Sequence, residues 1–181
     1  ANYFVSEARG NCLSEVHMDD IHGTAEYDEL EKFAGELVAK FGVRYAIHSH
    51  KNATYDHLRR LRVRTPKGMH IRAGEHHYEH MLKLFDLDPR SKAKPTPLPC
   101  SVDINFEGEE LPEDEKRVYR SGVGILLYIA ADRADVQYAT QLLAQRLSEP
   151  TDSAMSGLKH ITRYLMGTKS WGYFFPVEGE V

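Results

Sequence analysis

Four prolines fall within residues 89–99, at Pro89, Pro95, Pro97 and Pro99, and no other feature limits the fold so strongly. Each proline fixes φ and lacks a backbone N–H, so a run of them can occupy neither a helix interior nor a central strand. An acidic tract follows: residues 103–115 carry seven anions and no cation. The two stretches together predict a long segment that stays out of the core, and they divide the chain into residues 1–88, a linker at 89–112, and residues 113–181. With 181 residues, 41% of them hydrophobic, there is material for one real core or one core with an appendage.

Before the prolines, strand and helix patterns mix. Residues 11–25 hold short apolar stretches on either side of Asp19-Asp20, with Gly23 after them, a pattern that suits two strands and a tight acidic turn. Leu30, Phe33, Ala34, Leu37, Val38 and Phe41 recur at helical spacing over residues 27–41, and Gly42 supplies a stop. Residues 43–48 and 55–65 read as strands. In the second, Leu61 and Val63 alternate with Arg60, Arg62 and Arg64, predicting one buried and one cationic face, although Leu58 and Arg59 fit that alternation less well. Pro66-Lys67-Gly68 is a turn, residues 69–72 return as a strand, and residues 75–87 form a helix with Tyr78, Met81, Leu82 and Phe85 inward.

After the linker the chain turns helical, with helices expected over residues 113–131, 135–147 and 152–166, Thr151 as the N-cap of the third, and a final strand over 171–175. The fold class is therefore α+β. The longest apolar stretch, residues 123–131, is far too short to cross a bilayer, and residues 1–10 lack a signal-peptide pattern, so an intracellular location without a membrane is expected. Cys12 and Cys100 match no metal or disulfide spacing.

The net charge of −4 hides a separation along the chain. Residues 51–73 carry seven cations against one anion, Asp56, so this stretch offers the best purchase for a phosphate backbone. The sharpest local feature is Val16-His17-Met18-Asp19-Asp20-Ile21, where adjacent aspartates sit in an apolar, strand-forming context. A divalent cation would compensate that charge: Mg²⁺ takes hard oxygen ligands and is commonly held by one or two carboxylates plus substrate phosphates. Taken alone, an Asp-Asp pair is more often a turn than a metal site.

The context carries further. The box His17-Met18-Asp19-Asp20 is followed by Asp28-Glu-Leu-Glu-Lys-Phe, Phe41-Gly42, Tyr55-Asp-His-Leu-Arg-Arg, and the tract from Tyr78 through His80-Met-Leu to Leu87. Beyond Lys94-Pro-Thr-Pro97 come Tyr119-Arg-Ser-Gly, Asp132-Arg-Ala-Asp-Val-Gln-Tyr-Ala139, and Leu158-Lys-His-Ile-Thr-Arg-Tyr-Leu-Met-Gly-Thr-Lys169. In this order the motifs resemble copia-type retrotransposon reverse transcriptases from the aromatic-x-Asp-Asp box onward, over nearly the whole chain. The resemblance implies an RNA-directed DNA polymerase fragment of a Gag-Pol-type polyprotein. Residues 1–88 would be the end of a palm, with its hairpin, short sheet and two helices. Residues 113–181 would be a mostly helical thumb and connection ending in a strand that leads toward an RNase H domain.

By the same resemblance Asp19 and Asp20 would be two of three metal-binding, catalytic aspartates, with His17 and Met18 as active-site neighbours. Arg60, Arg62 and Arg64 would contact nucleic acid. Mg²⁺ or Mn²⁺ would serve the complete enzyme; RNA template, DNA primer, the upstream palm and fingers and the downstream RNase H would be its partners, in a cytoplasmic retroelement particle. The third aspartate belongs to an earlier strand in that family, so the chain alone is expected not to polymerise. Two positions depart from the pattern: His17 stands where an aromatic is usual, and Ala134 where proline is common.

Two other readings stay open. A non-catalytic nucleic-acid-binding or degenerate retroelement remnant would carry the same motifs. His76-His77-Tyr78-Glu79-His80 also satisfies the H-x-x-E-H zinc-peptidase pattern, in which His76 and His80 at i and i+4 would ligate zinc and Glu79 act as base. The ten histidines of the chain make a chance match easy.

Overall fold

The computed structural model describes residues 2–7, 12–48, 52–99 and 105–177. Cys100, Lys51 and the start of the acidic tract lie outside the described residues. Among the described residues, two antiparallel sheets and five helices make up the α+β fold. The first sheet has the order β1 (Asn2–Ser6), β2 (Cys12–His17), β3 (Asp20–Thr24), and α1 (Tyr27–Phe41) follows it. The second has the order β4 (Thr54–His57), β5 (Arg60–Thr65), β6 (Gly68–Ala73), β7 (Tyr173–Pro176). Four helices, α2 (Glu75–Leu84), α3 (Glu113–Ala130), α4 (Ala134–Ala144) and α5 (Asp152–Gly167), supply most of the core.

Several expectations hold to within a residue or two. The hairpin around the aspartates is present, α1 has the expected bounds, and Gly42 closes it in the left-handed conformation (φ 66°) with its N–H on the Val38 carbonyl. Thr151 caps α5: its Oγ1 accepts the Ala154 N–H at 3.2 Å. Tyr78, Met81, Leu82 and Phe85 are all buried.

Three expectations are corrected. Residues 43–48 form no strand, because the chain there finds no neighbour to complete a ladder. Residues 55–65 are not one strand but two, β4 and β5, folded back on each other at Leu58-Arg59. Both turn residues take positive φ (52° and 59°), the handedness that matches the twist of a two-residue hairpin, and Asp56 Oδ1 accepts the Arg59 N–H at 3.1 Å. The linker, lastly, does not stay out of the core. Phe106 is fully buried and Leu111 nearly so, the Thr151 hydroxyl donates to the Phe106 carbonyl at 2.6 Å, and Glu110 bridges to Thr151. Proline and charge forbid regular structure along this segment, but they do not prevent single apolar side chains from anchoring it.

The core is shared across that segment. Tyr78, Met81 and Phe85 of α2 and its flank pack with Tyr119 and Val123 of α3 and with Leu158 and Ile161 of α5 in one cluster. Tyr119 is fully buried, and its hydroxyl donates to the Leu143 carbonyl of α4 at 2.7 Å, which satisfies the polar tip of a large ring. β7 then crosses back to pair with β6, Gly68 opposite Pro176 and Ile71 opposite Tyr173.

A buried cation orders the α3–α4 turn. Arg133, about 1% exposed, grips the Asp135 carboxylate with two nitrogens at 2.9 and 2.7 Å. It also donates to the Thr168 carbonyl at 2.9 Å and hydroxyl at 2.8 Å, while the Tyr164 and Trp171 rings lie within 6 Å. Burial opposes the charge, and the Asp135 partner keeps the guanidinium protonated.

The tightest helix contact is at Gly122, where a Cβ would lie 2.4 Å from Phe85 Cζ and 3.0 Å from a Leu158 methyl. Both neighbours are held in the core, so Gly122→Ala should lower stability by about 1–3 kcal/mol in urea denaturation. Gly124→Ala, which meets nothing within 4 Å, is the control and should not lower it.

Candidate functional site

The Asp-Asp hairpin is a two-residue turn. His17 pairs with Asp20, so Met18 and Asp19 form the loop, and Met18 takes a positive φ of 53°. For a residue with a side chain that conformation costs about 1–2 kcal/mol, and the β2–β3 ladder from Leu13↔Thr24 to His17↔Asp20 holds it in place. His17, Met18, Asp19 and Asp20 are all exposed, Met18 at 88%. Two outward carboxylates have the hard-oxygen chemistry that Mg²⁺ accepts. Among the described residues, however, no third His, Cys, Asp or Glu joins them in a group able to hold an ion. They can supply part of a coordination shell.

Strand alternation divides the first sheet into two faces. Phe4, Cys12, Ser14, Val16 and Ile21 join Phe33 and Leu37 of α1 around an apolar hollow of about 300 Å³. On the opposite face Glu15 and His22 stand directly across from each other, next to the His17–Asp20 pair. In the second sheet, Tyr55 stands opposite Arg62 and His57 opposite Arg60, on a single face.

These two polar faces meet. The His22 ring stacks on His57 (centroids 4.7 Å) and on Tyr55 (5.9 Å), and His22 Nε2 lies 3.3 Å from the Tyr55 hydroxyl. Arg62 Nη1 lies 3.1 and 3.0 Å from the two His22 ring nitrogens. Burial, reinforced by Arg62, lowers His22 to a pKa of about 4, and burial likewise lowers His57. Both imidazoles are therefore neutral at neutral pH.

The arginines consequently differ from the expectation of a buried apolar face and a free cationic one. Arg60 forms an ion pair with the buried Asp132 and stacks on Tyr128 at 5.1 Å, and Arg62 is turned onto His22. Burial pushes the Asp132 carboxyl above the usual carboxylate range, against the downward pull of Arg60 and Arg62. Arg64 alone of the three is exposed, while Leu61 and Val63 on the other face are only half-buried. The alternation is as expected, but two of the three arginines, Arg60 and Arg62, meet an aspartate, a tyrosine and a histidine within the fold.

The H-x-x-E-H residues do not converge. His76, Glu79 and His80 are exposed and form no group of three ligand atoms among the described residues. The middle histidine, His77, faces inward against Tyr128 (4.4 Å), and burial lowers its pKa to about 4. Among the described residues the group that does converge is Glu15, His22 and His57, which sequence reading missed. Its signal was present but faint: His22 lies two residues after Asp20, on the same face of one strand, and Glu15 lies two before His17.

Comparison with known proteins gives a consistent direction. The chain is 30% identical over 160 residues to the Retrovirus-related Pol polyprotein from transposon RE2 of Arabidopsis thaliana, and 32% identical over 162 residues to that from transposon RE1. Each alignment covers 88% of this chain and 10% of the relative, so the chain spans about a tenth of the length of the curated relatives it matches. An uncharacterised mitochondrial protein of the same plant is 34% identical over 91 residues, half of this chain and 35% of that protein. No protein-family model matches the chain, and no solved structure matches it.

The lowered histidines give a pH dependence with a definite sign. A native pKa below the unfolded value means that the unfolded chain binds protons first, so stability is full above the unfolded value of 6.5 and falls as pH drops toward about 4. Urea midpoints measured between pH 7.5 and 4 should fall on acidification, and the double variant His22→Gln, His77→Gln should flatten that fall.

Proposed function

We propose that the chain is a piece of the reverse-transcriptase region of a copia-type transposon Pol polyprotein, contributing two metal-binding carboxylates to an RNA-directed DNA polymerase. The observation that carries this reading is the placement of Asp19 and Asp20 at the exposed tip of a two-residue hairpin, in a chain similar over 88% of its length to transposon Pol polyproteins. When bound, divalent ions in such a centre stabilise the attacking and leaving oxygens of an in-line phosphoryl transfer. What this chain's residues do is narrower: the β2–β3 ladder presents the two carboxylates together, facing outward, where ligands from a further part of the polyprotein can join them. Residues 1–88 would then correspond to the end of a palm and residues 113–181 to the thumb and connection, with the upstream palm and fingers and the downstream RNase H as partners elsewhere in the polyprotein. RNA template and DNA primer are the nucleic-acid partners, in a cytoplasmic retroelement particle.

Arg64 is the residue of the basic strand best disposed toward phosphate, because Arg60 and Arg62 are engaged inside the molecule. A second reading, a nucleic-acid-binding remnant without catalysis, draws on His17, an imidazole where the box usually carries an aromatic ring.

Primer extension on an RNA template, carried out with the whole Pol polyprotein that contains this chain, tests the reading. Asp19→Asn should abolish synthesis with Mg²⁺, and synthesis at the parent rate would sink the polymerase assignment. Binding of this chain to a primer–template duplex should weaken with salt, and Arg64→Ala should reduce the slope of log affinity against log salt by about 0.9, the contribution of one phosphate contact. An unchanged slope would remove Arg64 from the contact.

A further inference from the structure

We propose that Glu15, His22 and His57 form a site for one zinc ion that clamps the two sheets together, separate from the Asp19-Asp20 tip. One ligand atom from each of the three lies within 4.8 Å of the others. The donors come from three strands and both sheets: Glu15 on β2 faces His22 on β3 in the hairpin register, and His57 ends β4 with its ring against His22.

Donor chemistry selects the metal. Two imidazoles and one carboxylate are a set that zinc takes in three-ligand sites with a fourth, open position, whereas the all-carboxylate tip suits harder ions. All three side chains are half-buried, so an ion would lose part of its water shell and gain in return from a low-dielectric seam. His57 Nε2 is buried and has no hydrogen-bond partner, a costly condition for an imidazole nitrogen that ligation would relieve. Tetrahedral zinc with bonds of about 2.0–2.1 Å sets its ligand atoms about 3.3 Å apart, so the group must close by up to about 1.5 Å, a distance within reach of side-chain rotation.

Arg62 is the competitor. Its Nη1 now occupies the His22 ring nitrogens, yet its own Nε is buried without a partner, so the guanidinium holds this place incompletely. Zinc and the Arg62 cation exclude each other through like charge, and the site exchanges one for the other. The Tyr55 hydroxyl, 3.3 Å from His22 Nε2, stands close enough to hydrogen-bond a water in the open position. This site is independent of the polymerase reading, since none of its ligands has a role in that reading.

The test is a titration of the 181-residue chain with Co²⁺, followed by displacement with Zn²⁺ and read by the visible absorption of a four-coordinate centre. One equivalent should bind. His57→Ala and His22→Ala should each weaken binding at least about tenfold, with far-ultraviolet circular dichroism verifying the fold. Arg62→Gln should tighten binding about tenfold by removing the competing cation, a gain that no loss of structure can mimic. Asp19→Asn and His76→Ala, each made alone, should leave it unchanged. Absence of stoichiometric binding, binding that survives His57→Ala, an unchanged or weaker Arg62→Gln, or loss of binding in the Asp-tip or His76 variants would each overturn the proposal.

Discussion

The organisation of residues 73–177 turns on one buried cation. Arg133 costs much to desolvate, and it is tolerated because the Asp135 carboxylate, the Thr168 carbonyl and hydroxyl, and two aromatic rings surround it. Those partners come from the start of α4, the end of α5 and the segment entering β7. A single guanidinium therefore fixes where α5 stops and the direction in which the chain leaves it. The leaving direction matters because β7 must reach β6, and Arg72 of β6 donates to the Lys169 carbonyl at 3.2 Å along that path. These ligands, the Arg72 contact and the β6–β7 ladder together turn the run after Gly167 back.

Charge is spent inward elsewhere as well. Arg60, Arg62 and Asp132 are the polar groups a sequence reader would assign to solvent, and each ends against another part of the fold. The seam between the sheets is consequently polar, built from Glu15, His22, Tyr55, His57 and Arg62, while the apolar face of the first sheet lies toward Phe33 and Leu37 of α1. Tyr3, Phe4 and Val5 of β1 remain more than half exposed. The molecule thus has a well-packed helical core and a first sheet attached to it by directional, electrostatic contacts.

How legible this was depended on the range of the interactions involved. Helices were readable because their signals are local: the apolar spacing of α1 and α2, Gly42 as a stop and Thr151 as a cap all act within a few residues. The Asp19-Asp20 hairpin was readable for the same reason. Strand partners were harder. Nothing near residues 43–48 reveals that no neighbour awaits them, and Leu58-Arg59 makes a tight turn without the Asn or Gly that usually advertises one. Phe106 was hidden among acidic residues whose average character said solvent. Of the candidate site, the aspartates were visible as a pair, but the Glu15–His22–His57 group was not, because His57 lies 35 residues beyond His22 and joins it only where the two sheets meet.

The crossing of β7 back to β6 bears on how the chain acquires its shape. Gly68 pairs with Pro176, and the linker and four helices, α2 to α5, lie in sequence between the two partners of that ladder. Loop-closure entropy of this kind is settled late and slows folding more than it affects final stability. On a ribosome the free edge of β6 would wait through the synthesis of over half the chain, with Met69 and Ile71 beside unpaired backbone groups. A strand read from its sequence as a lead toward the next domain is, in the folded molecule, the piece that seals the edge.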